Sequence, residues 1–194
     1  MKYFILLLFV LFSFDLMAQD EVDKEYYLNA SEDWRKELIP FPLGFAPSLA
    51  YEGVEDIRFS KGWADKQSEQ FWSYKFVWYL DKDPVLTEDK LQTDFELYFD
   101  GLMSAVANGK KIPADSITST TALFINTSEG IYRGKVKTFD AFFLEAPVTL
   151  NFNVRSLYCS ERSKYLVYFE VSPQPLNHNI WKEMSTITVG GNCE

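Results

Sequence analysis

The spacing of hydrophobic residues changes along the chain, and each change marks a different predicted element. Residues 54–60 and 71–80 alternate in the manner of β-strands. The large side chains on one face of the longer run are Trp72, Tyr74, Phe76, Trp78 and Leu80. Over residues 87–106 the apolar positions recur with the 3.6-residue period of a helix. Asn108 and Gly109 are expected to end this helix.

The second half of the chain predicts four more strands and a short closing helix. The strands are expected at residues 117–126, 131–139, 148–157 and 164–171. The links between paired strands are short, which favours antiparallel hairpins over crossover connections. Asn177 is expected to cap the final helix. The apolar stripe of that helix consists of Ile180, Trp181, Met184 and Ile187.

The first fifty residues divide into a predicted signal peptide and an N-terminal extension. Residues 1–19 combine Lys2, an apolar stretch from Tyr3 to Phe14 and an expected cleavage site after Ala18 or Gln19. This layout is typical of a secretory signal peptide; a buried N-terminal helix is the alternative. Residues 20–50 are expected to form a loose arm, a short helix from Ser31 to Leu38 and an extended proline-rich strap. Residues 51–194 form a single predicted domain.

The predicted order of elements is strand, strand, helix, four strands and helix. This order indicates an α+β domain with an antiparallel β-sheet of about six strands and helices packed on it. In element order, residues 54–190 resemble the PsbP/Mog1 type of domain, a central antiparallel sheet flanked by helices with a closing C-terminal helix. The resemblance implies a fold and no chemistry. A lipocalin-like barrel is the alternative, and the long central helix argues against it.

Composition and charge narrow the classes of partner. Of the 194 residues, 47% are hydrophobic and 17% are aromatic, which indicates a folded chain with a large core. The net charge of −9 disfavours binding to nucleic acid or to anionic lipid, because both require a basic surface. After the predicted signal peptide, no apolar run has the length of a transmembrane helix. We therefore expect an exported protein, periplasmic or extracellular, with a signal of bacterial type.

The two cysteines and the single histidine limit the chemistry of the protein. An oxidising compartment favours a disulfide between Cys159 and Cys193, with two free thiols as the alternative. His178 alone cannot build a site of several histidines, so no metal site is expected. Its position near the start of the last predicted helix suits a capping residue, with a catalytic role as the alternative. The sequence contains no glycine-rich phosphate-binding loop, and no cofactor is expected.

Aspartate and glutamate residues are the remaining candidates for catalytic groups in the sequence. The candidates are Glu52, Glu55, Asp56, Asp65, Glu69, Asp81 and Asp83. A glycosidase needs two carboxylates about 5 to 9.5 Å apart, and an exposed aromatic such as Trp63 would supply a platform for a sugar. No spacing selects one pair, so no catalytic residue is assigned. Solvated loop charges are the alternative, as is Ca²⁺ ligation by Asp81 and Asp83.

Arg133, Lys135 and Lys137 alternate along one predicted strand and therefore project from the same face of the sheet. Like charges at this spacing repel one another unless water or an acidic partner covers them. We take these three residues, together with Trp63 and Tyr79, as candidate ligand-binding residues. The alternatives are a solvated face opposite acids on the neighbouring strand and, for Tyr79, a helix packed on that side.

The sequence favours a secreted or periplasmic, non-enzymatic accessory domain that binds a protein partner or a small apolar or anionic ligand. The reasons are the excess of aromatic residues and the absence of a recognisable catalytic set in the sequence. Two other hypotheses are a carboxylate-dependent hydrolase that acts on extracellular glycans and a purely structural envelope protein.

Overall fold

The computed structural model describes residues 26–191 and Cys193, and the predicted signal peptide lies outside this range. The strands are β1 (Leu28–Asn29), β2 (Arg35–Pro40), β3 (Gly53–Phe59), β4 (Tyr74–Leu80), β5 (Thr121–Ser128), β6 (Ile131–Asp140), β7 (Ala146–Cys159), β8 (Lys164–Ser172) and β9 (Thr188–Val189). The helices are α1 (Glu88–Lys110) and α2 (Ile180–Ser185), with a 3-10 helix at Ala114–Ser116. Among the described residues, no helix is both long and apolar enough to span a membrane.

Seven strands form one antiparallel sheet in the order β2, β3, β4, β8, β7, β6, β5. This finding confirms the α+β class and the antiparallel sheet, but the sheet has seven strands and not about six. The strands from β5 to β8 are joined by hairpins, as their short links predict. α1 carries the chain from the centre of the sheet at β4 to its edge at β5.

The seventh strand replaces a predicted helix. The prediction of a helix from Ser31 to Leu38 is wrong, because residues 35–40 form the edge strand β2. A single turn, in which the N–H of Trp34 donates to the carbonyl of Ser31 at 3.0 Å, precedes the strand. Pro40 leaves too short a segment for a helix to be stable alone. The segment instead gives the backbone groups of β3 their hydrogen-bonding partners.

α1 packs on one face of the sheet, and an aromatic core lies between them. Thr87 caps the helix, because its side-chain oxygen accepts a hydrogen bond from the N–H of Lys90 at 3.1 Å. Phe95 lies at the centre of the core, and its ring centroid is 4.8 Å from that of Phe152 and 5.1 Å from that of Phe169. Because such a ring is fully enclosed, its removal would cost about 3 to 5 kcal/mol of unfolding free energy.

A second layer covers the middle of the opposite sheet face. It consists of α2 and a two-stranded ribbon of β1 and β9. The buried carboxylate of Asp56 accepts hydrogen bonds from the N–H groups of Tyr27 and Leu28 at 2.6 and 2.9 Å, and it also pairs with Arg58. This buried ion pair holds β1 on the sheet, so residues 26–30 of the predicted loose arm include a strand.

A buried disulfide between Cys159 and Cys193 closes the second layer and confirms the predicted pairing. It joins the end of β7 to the C-terminal tail across a sequence separation of 34 residues. The tail is thereby held against the ribbon of β1 and β9.

Side chains of α1 cover the exposed edge of the sheet at β5. Four helix residues, spaced four apart, accept hydrogen bonds of 2.5 to 3.3 Å from alternate backbone N–H groups of the edge. We call these acceptors the edge ladder, and the pairs are Glu88 with Asn126, Gln92 with Phe124, Glu96 with Ala122, and Asp100 with Thr120. Four helix residues rise about 6.0 Å and two strand residues about 6.8 Å, so the two repeats match.

The disulfide is expected to contribute about 3 to 4 kcal/mol to the free energy of unfolding, because it restricts the unfolded chain. The double variant Cys159→Ser/Cys193→Ser should lose this amount in urea denaturation. The unmutated chain after reduction should lose a similar amount, whereas Ser160→Ala should not. Equal unfolding free energies for the oxidised and reduced chains would contradict the expectation.

The edge ladder is expected to protect the backbone of β5 from exchange with solvent. In the double variant Gln92→Ala/Glu96→Ala, the amide protons of Phe124 and Ala122 lose their acceptors, so their hydrogen exchange should accelerate at least tenfold. NMR exchange rates measure this effect. Thr93→Ala, an exposed change on the same helix, is the control and should leave both rates unchanged. Unchanged protection in the double variant would show that the ladder is not the source of protection.

Candidate functional site

Four basic side chains project from the sheet face opposite α1. Arg133, Lys135 and Lys137 occupy alternate positions of β6 and are exposed. They share one face, as the sequence predicts. Arg155 of β7 is in register with Ile131 and lies on the same face. The structure therefore adds a fourth cation to the three identified in the sequence.

The strands on either side of β6 offer no acid to these cations. The neighbours in register on β5 and β7 are Ile125 and Asn153 for Arg133, Leu123 and Asn151 for Lys135, and Thr121 and Thr149 for Lys137. Within residues 26–191 and Cys193, no carboxylate forms an ion pair with these three residues or with Arg155. The acids that the solvated-face alternative expects on the neighbouring strand are therefore not there.

Large apolar side chains are exposed beside the cations. Leu123 is 62% exposed, Ile125 is 53% exposed and Ile131 is 43% exposed, all on the sheet face that carries the basic residues. Clustered apolar residues on an otherwise polar surface mark interaction sites. We call this surface the basic face; it consists of Leu123, Ile125, Ile131, Arg133, Lys135, Lys137 and Arg155.

A groove of about 490 Å³ lies beside the basic face, between the sheet and the segment from α2 to β9. Its charged lining residues are Lys75, Arg133, Arg155 and Glu170. The ammonium of Lys75 pairs with the carboxylate of Glu170 at 3.1 Å. The two arginines are therefore the cations of the groove that have no acidic partner within the described chain. Asn153 and the hydroxyl groups of Thr127, Ser185 and Thr188 add to the polar lining.

The structure places Trp63 and Tyr79 away from the basic face. Trp63 is 9% exposed and packs in the core on the sheet face that carries α1, with its ring centroid 4.6 Å from that of Phe59. Tyr79 lies below the second layer, 7% exposed, with its ring stacked on that of Tyr27 at 4.1 Å. Tyr79 is therefore covered by the ribbon of β1 and β9, and not by the helix considered for this side of the sheet. The five predicted ligand-binding residues occupy three separate places.

Trp63 lines a second cavity, which we call the aromatic pocket. It has a volume of about 280 Å³ and lies between α1 and the edge of the sheet at β2 and β3. Seven of its lining residues are aromatic, and its charged lining residues are Arg35 and Glu37. Leu102 and Val106 contribute the wall on the side of α1.

The acids proposed for a hydrolase are spread over the structure. Glu55 is fully buried, and Asp56 is taken up by its ion pair with Arg58. Asp65 lies in an exposed turn, where its carboxylate accepts the N–H of Gln67. The groove and the aromatic pocket each have a single carboxylate in their lining. In the part of the chain that the structure describes, no group of three or more His, Cys, Asp or Glu residues is placed to hold a metal ion.

His178 has a structural role at the start of α2. Its Nδ1 accepts the N–H of Ile180 at 3.2 Å, and its Nε2 lies 3.7 Å from a carboxylate oxygen of Glu69. The prediction that Asn177 caps this helix is wrong, because the N-cap residue is Asn179, whose side chain makes no capping bond. The imidazole ring supplies the acceptor instead.

Glu55 is a carboxyl group enclosed by the aromatic core. Its Oε2 accepts a hydrogen bond from Nε1 of Trp78 at 2.7 Å, and its Oε1 accepts one from the hydroxyl of Tyr98 at 3.0 Å. Burial raises the pKa of Glu55 to about 7 against the lowering effect of these two hydrogen bonds, and the nearby Glu37 adds to the rise. The native protein therefore holds a proton here that the unfolded chain releases at lower pH.

Stability is expected to depend on the protonation of Glu55. Its stabilising effect is complete below the unfolded pKa of 4.5 and is lost as pH rises through about 7. Between pH 4.5 and 8, the unfolding free energy of the unmutated chain should fall by about 3 kcal/mol relative to that of Glu55→Gln. Glutamine resembles the neutral acid and does not titrate. Urea denaturation across this pH range measures the difference.

The exposed Glu52 provides the control for this measurement. The variant Glu52→Gln should keep the pH dependence of the unmutated chain. Parallel stability profiles for Glu55→Gln and the unmutated chain would show that Glu55 does not take up a proton on folding in this range.

Sequence reasoning missed Arg155 and the exposed residues of β5. Arg155 becomes visible once residues 131–139 and 148–157 are paired as a hairpin, because its register then places it on the face of the basic row. No pattern in the sequence showed which apolar residues of β5 are exposed. Leu123 and Ile125 face solvent, whereas Phe124 between them is buried, so both faces of this strand are apolar in the sequence.

Comparisons with known proteins leave the family open. No protein-family model, curated protein or solved structure matches the chain. The resemblance in element order to the PsbP/Mog1 type of domain therefore stays a prediction.

Proposed function

We propose that this protein is an exported, non-catalytic binding domain that docks an acidic protein surface on its basic face. The proposal rests on the basic side chains of this face, which form no ion pair within the described chain. Four cations project together, and no carboxylate of the described chain forms an ion pair with them. The chain has 28 acidic and 19 basic residues, so the patch does not reflect a shortage of acids. A partner that supplies negative charge accounts for it.

The exposed aliphatic residues favour a protein surface over a small anion. Ile125 is in register with Arg133, and Leu123 is in register with Lys135, so apolar and basic side chains alternate across the two strands. A small anion would use the cations alone. A protein surface would also bury the aliphatic side chains, and burial of apolar area is the main favourable term in association. The groove between the sheet and α2 offers a place for an acidic side chain of the partner.

Other observations support a binding role in an exported protein. The predicted signal peptide and the buried disulfide agree with an oxidising compartment. The hydrolase hypothesis has less support, because Glu55 is enclosed in the core with both oxygens hydrogen-bonded, and Asp65 lies in an exposed turn. The hypothesis of a structural envelope protein is compatible with the same docking face, and a stable partner from the envelope would favour it.

A photoreactive residue on the basic face should capture the partner. Benzoylphenylalanine at position 123, introduced in the cells that express the protein, should crosslink to a protein with an acidic surface. The triple variant Arg133→Glu/Lys135→Glu/Lys137→Glu should lower the affinity for the captured protein at least tenfold, because the charges of the face are reversed. Added salt should weaken binding to the unmutated chain for the same reason.

Two matched controls make this experiment decisive. Lys61→Glu/Lys66→Glu/Lys82→Glu changes the net charge equally at exposed positions elsewhere and should keep the affinity. Leu97 on α1 is 40% exposed, and the photoreactive residue placed there should not capture the same protein. Equal affinity of both triple variants, or equal capture from positions 123 and 97, would refute docking on the basic face. Adducts that resist protease would identify a partner other than protein and would refute this proposal as well.

A further inference from the structure

Three hydrogen-bond donors around the aromatic pocket have no acceptor in the described chain. The Nε1 atoms of Trp63 and Trp72 are buried without a partner. Tyr74 also lines the pocket and is 4% exposed, and its hydroxyl makes no hydrogen bond to residues 26–191 or Cys193. Buried Trp and Tyr side chains normally pair their polar atoms, because an unpaired donor has lost its hydrogen bond to water. The pocket is therefore lined by three residues whose donors have no acceptor in the described chain.

A cation lies at the same end of the pocket. In the register of the sheet, Arg35 is opposite Phe59, and Phe59 is opposite Tyr74. The guanidinium of Arg35 is 4.7 Å from the ring centroid of Phe59 and 5.3 Å from that of Trp63. Among the described residues, no carboxylate forms an ion pair with Arg35. Arg35 and Tyr74 therefore bring a positive charge and a hydroxyl donor to this end of the pocket.

From this arrangement we infer that the aromatic pocket binds a small amphipathic carboxylate, with its head at Arg35 and its apolar body among the aromatic rings. A carboxylate offers negative charge to Arg35 and acceptor oxygens to the hydroxyl of Tyr74. The apolar body matches a wall that consists mainly of rings and aliphatic side chains. The site lies on the opposite face of the sheet from the basic face and is independent of the proposed docking function.

The size and the charges of the pocket restrict the ligand further. A cavity of about 280 Å³ has the volume of about nine water molecules, which corresponds to roughly ten non-hydrogen atoms. Octanoate has this size. Glu37 also lines the pocket, and its charge disfavours a second carboxylate on the ligand. Burial raises the pKa of Tyr74 well above its usual value, so its hydroxyl stays a donor.

Three probes with the same chain length test the site in the unmutated protein. Octanoate, octanol and octylammonium share the apolar tail and differ in the head. Octanoate should bind saturably at one site and shift the indole N–H resonances of Trp63 and Trp72 in NMR spectra. Octanol and octylammonium should bind at least tenfold more weakly, because neither offers a charged acceptor.

Single substitutions assign the binding to the head end of the pocket. Arg35→Met removes the charge and keeps an apolar stem, so the affinity for octanoate should fall at least tenfold and that for octanol should not change. Tyr74→Phe should also weaken octanoate, without loss of thermal stability, since the hydroxyl has no partner in the described chain. Lys36→Met is the matched control, because this neighbour on β2 points to the other sheet face.

Three results would overturn the inference. These are the absence of saturable octanoate binding to the unmutated chain, equal affinity for the three probes, and unchanged octanoate affinity in Arg35→Met. None of them bears on the basic face, whose test uses different residues and a different partner.

Discussion

Every residue of the interior strand β4 is buried, and this burial on both faces is the constraint on which the rest of the structure depends. Phe76 and Trp78 lie below α1, whereas Val77 and Tyr79 lie below the ribbon of β1 and β9. A sheet with such a strand needs a covering layer on each side. Lys75 of the same strand attaches the second layer, because its ammonium donates to the carbonyl of Met184 at the end of α2 at 2.9 Å.

The second layer covers the middle of the sheet and leaves the face of β5 and β6 open, which is where the basic face lies. The edge of β5 is not open in the same way, because the edge ladder already occupies alternate N–H groups of its backbone. An unprotected edge would invite strand addition by another chain. The open face and the closed edge together favour a partner that is recognised through side chains.

Much of the fold follows from periodicity, and the failures have physical causes. The pattern of residues 87–106 identified α1, because a long helix with one buried side has a strong 3.6-residue period. The edge strand β2 was missed, because its residues are mostly exposed and its stability comes from pairing with β3, which no local pattern records. For the candidate site, alternation placed Arg133, Lys135 and Lys137 on one face. Alternation could not predict that Trp63 and Tyr79 are buried, because the residues that cover them are distant in the sequence.

The high aromatic content and the aromatic pocket have a common geometric origin. Seven strands span about 29 Å, whereas a helix is about 10 Å wide, so α1 alone covers about a third of its face. The backbone of α1 lies nearest to β5 and β6, and loops supply much of the cover over β2 and β3. Loops contribute few side chains for a given area, so each must be large, and Phe45, Trp63 and Phe142 serve this purpose. Rigid rings fill such a space incompletely, and the pocket forms where they do.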